Sequence, residues 1–143
     1  MHVWRLCRAP YADLSGEGAR RFGGRWNSAG RPLVYTAGEA ALAVLEVRVH
    51  LDLPLELLPD DYHLLSIDTG TAYCEQLAKS FQNAEACRAY GEQWLNEQRS
   101  ALLQVNSVIV PESCNVLINP DHREAKQIRI IKSRLFQFDA RLF

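Results

Sequence analysis

Between Ala40 and Val49 every residue is apolar except Glu46 and Arg48. Such a run reads as a helix, and a helix apolar nearly all round must be covered on several sides by the rest of the chain. It is too short to cross a bilayer, which takes about 20 apolar residues. Glu46 is therefore expected on a largely buried element, where an ionised carboxylate needs a partner or a ligand. Arg48 and His50 lie close enough in sequence to be structural partners. A binding site is the other reading, and residue type does not separate the two.

The flanking segments show what can enclose this helix. His2 to Arg8 alternates apolar and polar side chains, a strand pattern ended by Ala9-Pro10. Pro32 to Tyr35 reads as a short strand, and Thr36 followed by Glu39 matches a capping box that predicts a helix opening at Ala37. Asp52 to Asp61 is loop-like, and His63 to Asp68 is a strand ended by Gly70. Ala84 to Gln104 spaces Ala86, Tyr90, Trp94, Leu95 and Leu102 among polar residues as one amphipathic helix. Ser107 to Val110 and Cys114 to Asn119 read as strands of a hairpin through Pro111-Glu112-Ser113. Asp121 to Ala125 is a turn or short helix, and Ile128 to Ile131 and Leu135 to Asp139 read as closing strands. Strands, then helices, then strands predict one α+β domain over residues 1–143, with a mixed, mainly antiparallel sheet and flanking helices.

Composition narrows the function. A formal net charge of −1 argues against binding a nucleic acid backbone. No apolar run is long enough for a membrane span, and no hydrophobic leader follows Met1. Cys7, Cys74, Cys87 and Cys114 are far apart and form no CxxC pair, which fits reduced thiols in a cytoplasmic protein. The four histidines show no ligand spacing with the cysteines, so no metal site is expected.

Tyr11 to Gly30 is rich in Gly, Ser and Arg, and a loop of that length in a compact domain usually has a task. Within it, Gly23-Gly24 lets the backbone approach a ligand, and Arg25 offers a bidentate fork for phosphate. A solvated loop arginine is the commoner use of such a residue, and neither a Walker loop nor a GxGxxG fingerprint is present. Tyr35 ends a strand, where its ring can stack on a planar group or sit in the core with its hydroxyl bonded. Trp26, beside Arg25, is either packing or a stacking surface. Ser107 has the position of a cap or turn residue, no G-x-S-x-G elbow accompanies it, and the apolar flanks of Cys114 favour a buried thiol.

Taken together, several motifs resemble one family. Ser15-Gly16-Glu17-Gly18-Ala19-Arg20-Arg21, Gly23-Gly24-Arg25-Trp26-Asn27, Val34-Tyr35-Thr36 and Ala41 to Glu46 are similar to the RES domain. Ser107 to Pro111, Asn115 to Pro120 and the ending Phe138-Asp139-Ala140-Arg141-Leu142 extend the likeness to nearly the whole chain. One departure is Asn106, where many relatives carry proline before the serine. The resemblance implies a fold like that of ADP-ribosyltransferases and a bacterial toxin that breaks the nicotinamide–ribose bond of NAD+, with water or phosphate as acceptor. It places Arg25 at the pyrophosphate, Tyr35 near the nicotinamide, Glu46 at the developing charge and Ser107 at the nicotinamide-ribose end, with Trp26 beside them. NAD+ is then a consumed substrate rather than a cofactor. An Xre-type antitoxin that blocks the pocket and carries any DNA contact is implied too, with room for a toxin homodimer in that complex. Two alternatives stay open: transfer of ADP-ribose to a protein, and a binding module without catalysis.

Overall fold

The computed structural model describes all 143 residues. Its strands are β1 (His2–Arg8), β2 (Val34–Ala37), β3 (Tyr62–Asp68), β4 (Cys74–Gln76), β5 (Leu102–Asn106), β6 (Cys114–Ile118) and β7 (Arg129–Leu135). Its helices are α1 (Glu17–Phe22), α2 (Ala40–Arg48) and α3 (Ala84–Glu97). The strands form one seven-stranded sheet in the order β4-β5-β6-β2-β1-β3-β7. Every pairing is antiparallel except β4 with β5. The mixed, mainly antiparallel α+β architecture expected from the sequence is the one found.

The sheet is not continuous in the ordinary sense. β1 runs along β3 from His2↔Asp68 to Arg8↔Tyr62, but it meets β2 only at Trp4↔Ala37. Beyond that point the two strands part, and the ladder groups along the gap need other partners. The Tyr35 carbonyl finds one in the Arg5 guanidinium, whose Nη1 donates to it at 3.2 Å.

Two helices pack near this split. α2 buries Leu42 and Ala43 against Leu6, Ala37 and Leu64. α3 presses Cys87, Trp94 and Leu95 onto Leu103, Val105 and Leu117. The buried Trp94 indole N–H donates to Ser100 Oγ at 2.8 Å, so the polar end of this large side chain is satisfied. A third cluster fills the sheet from Val3 and Val34 to Leu65, Leu102 and Ile118.

Several local expectations are corrected. The stretch from Tyr11 to Gly30 is not all loop, because α1 forms within it after Gly16, whose positive φ of 74° turns the chain into the helix. The capping box does not form: Thr36 Oγ donates to the Val116 carbonyl at 2.6 Å, Glu39 accepts from Ser113, and α2 opens at Ala40. Nor is α2 covered all round, since Leu45 is exposed, as is Val49 just past its end. The long helix expected to Gln104 ends at Glu97, where Gln98 takes the left-handed conformation, and Leu102 to Asn106 becomes β5. Ser107 to Val110 is a turn, so the hairpin joins β5 to β6. Of the two closing strands expected, only the first forms, as β7, and Phe136 to Asp139 is not a strand. β4 has no counterpart among the strands expected from the sequence.

Candidate functional site

A cleft of about 650 Å³ opens where β1 and β2 part. It is lined by Arg5, Gly24, Arg25, Trp26, Tyr35, Glu46 and Asn115, among others, with apolar walls from Trp4, Phe22, Val47 and Ile109. The residues anticipated from the Gly-rich turn, the strand and the apolar helix thus share one cavity.

The turn carrying Arg25 is built from its interior outwards. Asn27 is fully buried, and its Nδ2 donates to the carbonyls of Ala19 and Arg31, each at 2.9 Å. Its Oδ1 accepts from the Tyr35 hydroxyl at 2.7 Å, and the same hydroxyl accepts from the Trp26 N–H at 2.8 Å. Tyr35 therefore bolts strand to turn. Burial pushes its hydroxyl well above the ordinary tyrosine value, so it remains a neutral donor. Gly24 is required here, because a Cβ would stand 2.6 Å from the Tyr35 oxygen. From the other side α3 and the chain before it hold the turn: Ser28 N–H donates to Glu92 at 2.7 Å, and Trp26 packs edge-on against Tyr90 and against Phe81, which precedes the helix. Trp26 is thus a buried packing residue that only borders the cleft.

This frame leaves Arg25 itself free. Its guanidinium has no hydrogen bond or ion pair within the protein, and its Nε is buried without a partner. Arg5 is similar: apart from the Tyr35 carbonyl its guanidinium meets no carboxylate, and its Nε is also buried and unpaired. Buried polar atoms are normally satisfied, so two such guanidinium groups in one cleft call for an anionic or hydrogen-bonding occupant.

Glu46 projects from α2 into the same cleft. Its partners are neither Arg48 nor His50. Ser107 Oγ and Asn115 Nδ2 both donate to Oε1, each at 2.8 Å, while Oε2 has no bond within the protein. Arg48 is instead engaged by the Leu142 carbonyl at 2.7 Å and the Phe143 ring. Ser107 is buried behind Glu46, and its oxygen also accepts from the N–H groups of Ile109 and Val110. Its hydroxyl is spent on Glu46 and the turn, so it supports the carboxylate rather than lining the cleft. Cys114 is half-buried and accepts from Gln104 Nε2 at 3.3 Å, in place of the buried thiol expected.

Arg5 and Asn115 escape a reading of the sequence. Each sits in a strand among apolar neighbours, where a polar side chain passes for the solvent-facing half of an alternation. The signal that could reveal Asn115 is its place between Cys114 and Val116, in a strand too apolar to be an exposed edge.

Fold and cleft together define a class: a small α+β domain whose split sheet holds a cavity with unpaired cations and one oriented carboxylate. Residues 2–139 match the RES domain, and the chain belongs to that family. It is 44% identical to the Prs ADP-ribosylating toxin of Sphingobium sp., over 91% of this chain and 86% of that protein. It is 38% identical to Toxin Res of Pseudomonas putida over the full length of both, and 40% identical to Toxin Res of Photorhabdus laumondii over 99% of this chain and 97% of that protein. Among solved structures, the M. tuberculosis MbcT–MbcA toxin–antitoxin complex holds a similar fold. Its TM-score is 0.76 at 20% identity, covering 95% of this chain and 84% of that one. No helix here is long and apolar enough to cross a membrane.

Proposed function

We propose that this chain is the toxin of a bacterial toxin–antitoxin module and consumes NAD+ by cleaving the bond between nicotinamide and ribose. The observation that carries this reading is the free Oε2 of Glu46, held by two donors on its sister oxygen in a cleft that also presents Arg25, with no partner in the protein, and Arg5, with no carboxylate partner. A dinucleotide brings a pyrophosphate for the guanidinium groups and a ribose for the carboxylate. As the C1′–N bond breaks, its electron pair leaves with nicotinamide and positive charge develops on the ribose. A carboxylate fixed in advance beside that charge stabilises it without reorganising during the reaction. The acceptor then adds to C1′ and loses its proton. Tyr35 keeps the Arg25 turn in register, and Ser107 holds Glu46.

Purified protein incubated with NAD+, with and without inorganic phosphate, is expected to release nicotinamide, and the ADP-ribose product identifies the acceptor. No release in either condition, and none with cell extract present, would sink the proposal. A second reading, transfer to a protein, is supported by the likeness to the Sphingobium ADP-ribosylating toxin and by the cleft's open apolar rim, where Phe22 is 72% exposed and Val108 60%. Labelled NAD+ in extract separates the two, since transfer leaves label on a protein band. Restraint by an antitoxin seated over the cleft belongs to the same proposal. The similar fold of MbcT, found in complex with its antitoxin MbcA, supports it.

A further inference from the structure

We propose that Asn115 is a positioning residue that fixes which oxygen of Glu46 meets the ligand. This rests on the proposed cleavage reaction for its kinetic consequence, but not for its structural one. Asn115 sits on β6 between Ala37 of β2 and Val105 of β5, paired with both, so its backbone has little freedom. Glu46, by contrast, lies near the C-terminal end of α2, a nine-residue helix with solvent at Leu45 and Val49. A glutamate there has three rotatable bonds, and Ser107 alone, through a single donor, would leave the carboxylate free to turn about its last one. Two donors converging on Oε1, one from the turn and one from the rigid sheet, remove that freedom and leave Oε2 as the only uncommitted oxygen.

The orientation of the amide follows from charge. Reversing it would set Asn115 Oδ1 against an ionised carboxylate oxygen, which is repulsive, so Nδ2 must face Glu46. Oδ1 then has no partner within the protein, and Asn115 lines the cleft. The residue thus touches Glu46 with one end of its amide, while no donor of the protein takes up the other.

Two variants test this. Asn115→Ala removes the donor, and Asn115→Asp keeps the shape while turning a second carboxylate oxygen toward Oε1. If Asn115 only packed the strand, the isosteric aspartate would be the milder change. Positioning predicts the reverse order: kcat for nicotinamide release falls about 10-fold in Asn115→Ala and about 100-fold or more in Asn115→Asp, with KM within about threefold of wild type. Crystal structures of wild type and Asn115→Ala give a readout independent of activity. Glu46 is expected to leave its Ser107-bonded rotamer or to spread over two. An unmoved, well-ordered Glu46 overturns the proposal, as does unchanged kcat in both variants or a failure of both to fold. Should wild type release no nicotinamide, the cleavage reading falls and the crystal structures alone decide whether Asn115 fixes the carboxylate.

Discussion

Removing one oxygen from Tyr35 tests how the cleft is built. In Tyr35→Phe the ring stays, but the Trp26 N–H and the Asn27 Oδ1 lose partners at 2.8 and 2.7 Å. Asn27 is fully buried and Trp26 nearly so, so water cannot readily replace the hydroxyl. Two hydrogen bonds at about 1 kcal/mol each, with about 1–2 kcal/mol more for leaving buried groups unpaired, give a loss of roughly 3–4 kcal/mol. For a domain of this size, about 3 °C of melting temperature per kcal/mol makes that roughly 9–12 °C. Because the turn carries Arg25, KM for NAD+ should rise about tenfold or more in the same variant. Thermal unfolding and initial-rate kinetics measure the two effects. A variant as stable as wild type that loses only kcat would refute the view of Tyr35 as a bolt and place its hydroxyl in the chemistry.

Other expectations follow from the same geometry. Arg25→Ala removes a guanidinium with no partner in the protein, so stability should hold within about 2 °C while KM rises about 10- to 100-fold, as expected for losing one charged hydrogen-bonding group. Gly91→Ala on α3 would drive its Cβ into the Trp26 carbonyl oxygen. Although alanine favours the helix by about 1 kcal/mol, the clash with backbone should exceed it and destabilise by about 2 kcal/mol or more, readable by denaturant unfolding. The Ser28 N–H holds the Glu92 carboxyl below its ordinary value, with Arg31 adding to the effect. A carboxyl lower in the folded state stabilises fully above the ordinary glutamate value of about 4.5 and loses that contribution as pH falls through the folded value. Glu92→Gln should therefore be less stable than wild type at neutral pH, and the difference should shrink in an acid titration below about pH 4.5.

Much of this fold was legible because its signals are local. The alternation of His2 to Arg8 needs only the neighbouring residues to be read, and β1 has those bounds. The failures share a cause, which is that a distant partner decides. Glu39 looks like half of a capping box until Ser113 takes it. α3 ends at Glu97, and Gln98 after it is a residue type that gives no stop signal, so the apolar run from Ala101 to Val105 is read as more helix. Glu46 is a lone carboxylate in an apolar segment, an anomaly that the sequence alone displays. What satisfies it lies 61 and 69 residues away, on Ser107 and Asn115, beyond the reach of spacing arguments.

On the function proposed above, an oriented Glu46 carboxylate drives loss of nicotinamide from NAD+. Glu46→Gln tests it most directly, because the amide oxygen can still accept from Ser107 and Asn115 while the negative charge is gone. The measurement is nicotinamide released per enzyme at saturating NAD+, wild type against Glu46→Gln, with melting temperatures of both. A fall of about 100- to 1000-fold with the fold intact is expected. Equal release by the two proteins would contradict it.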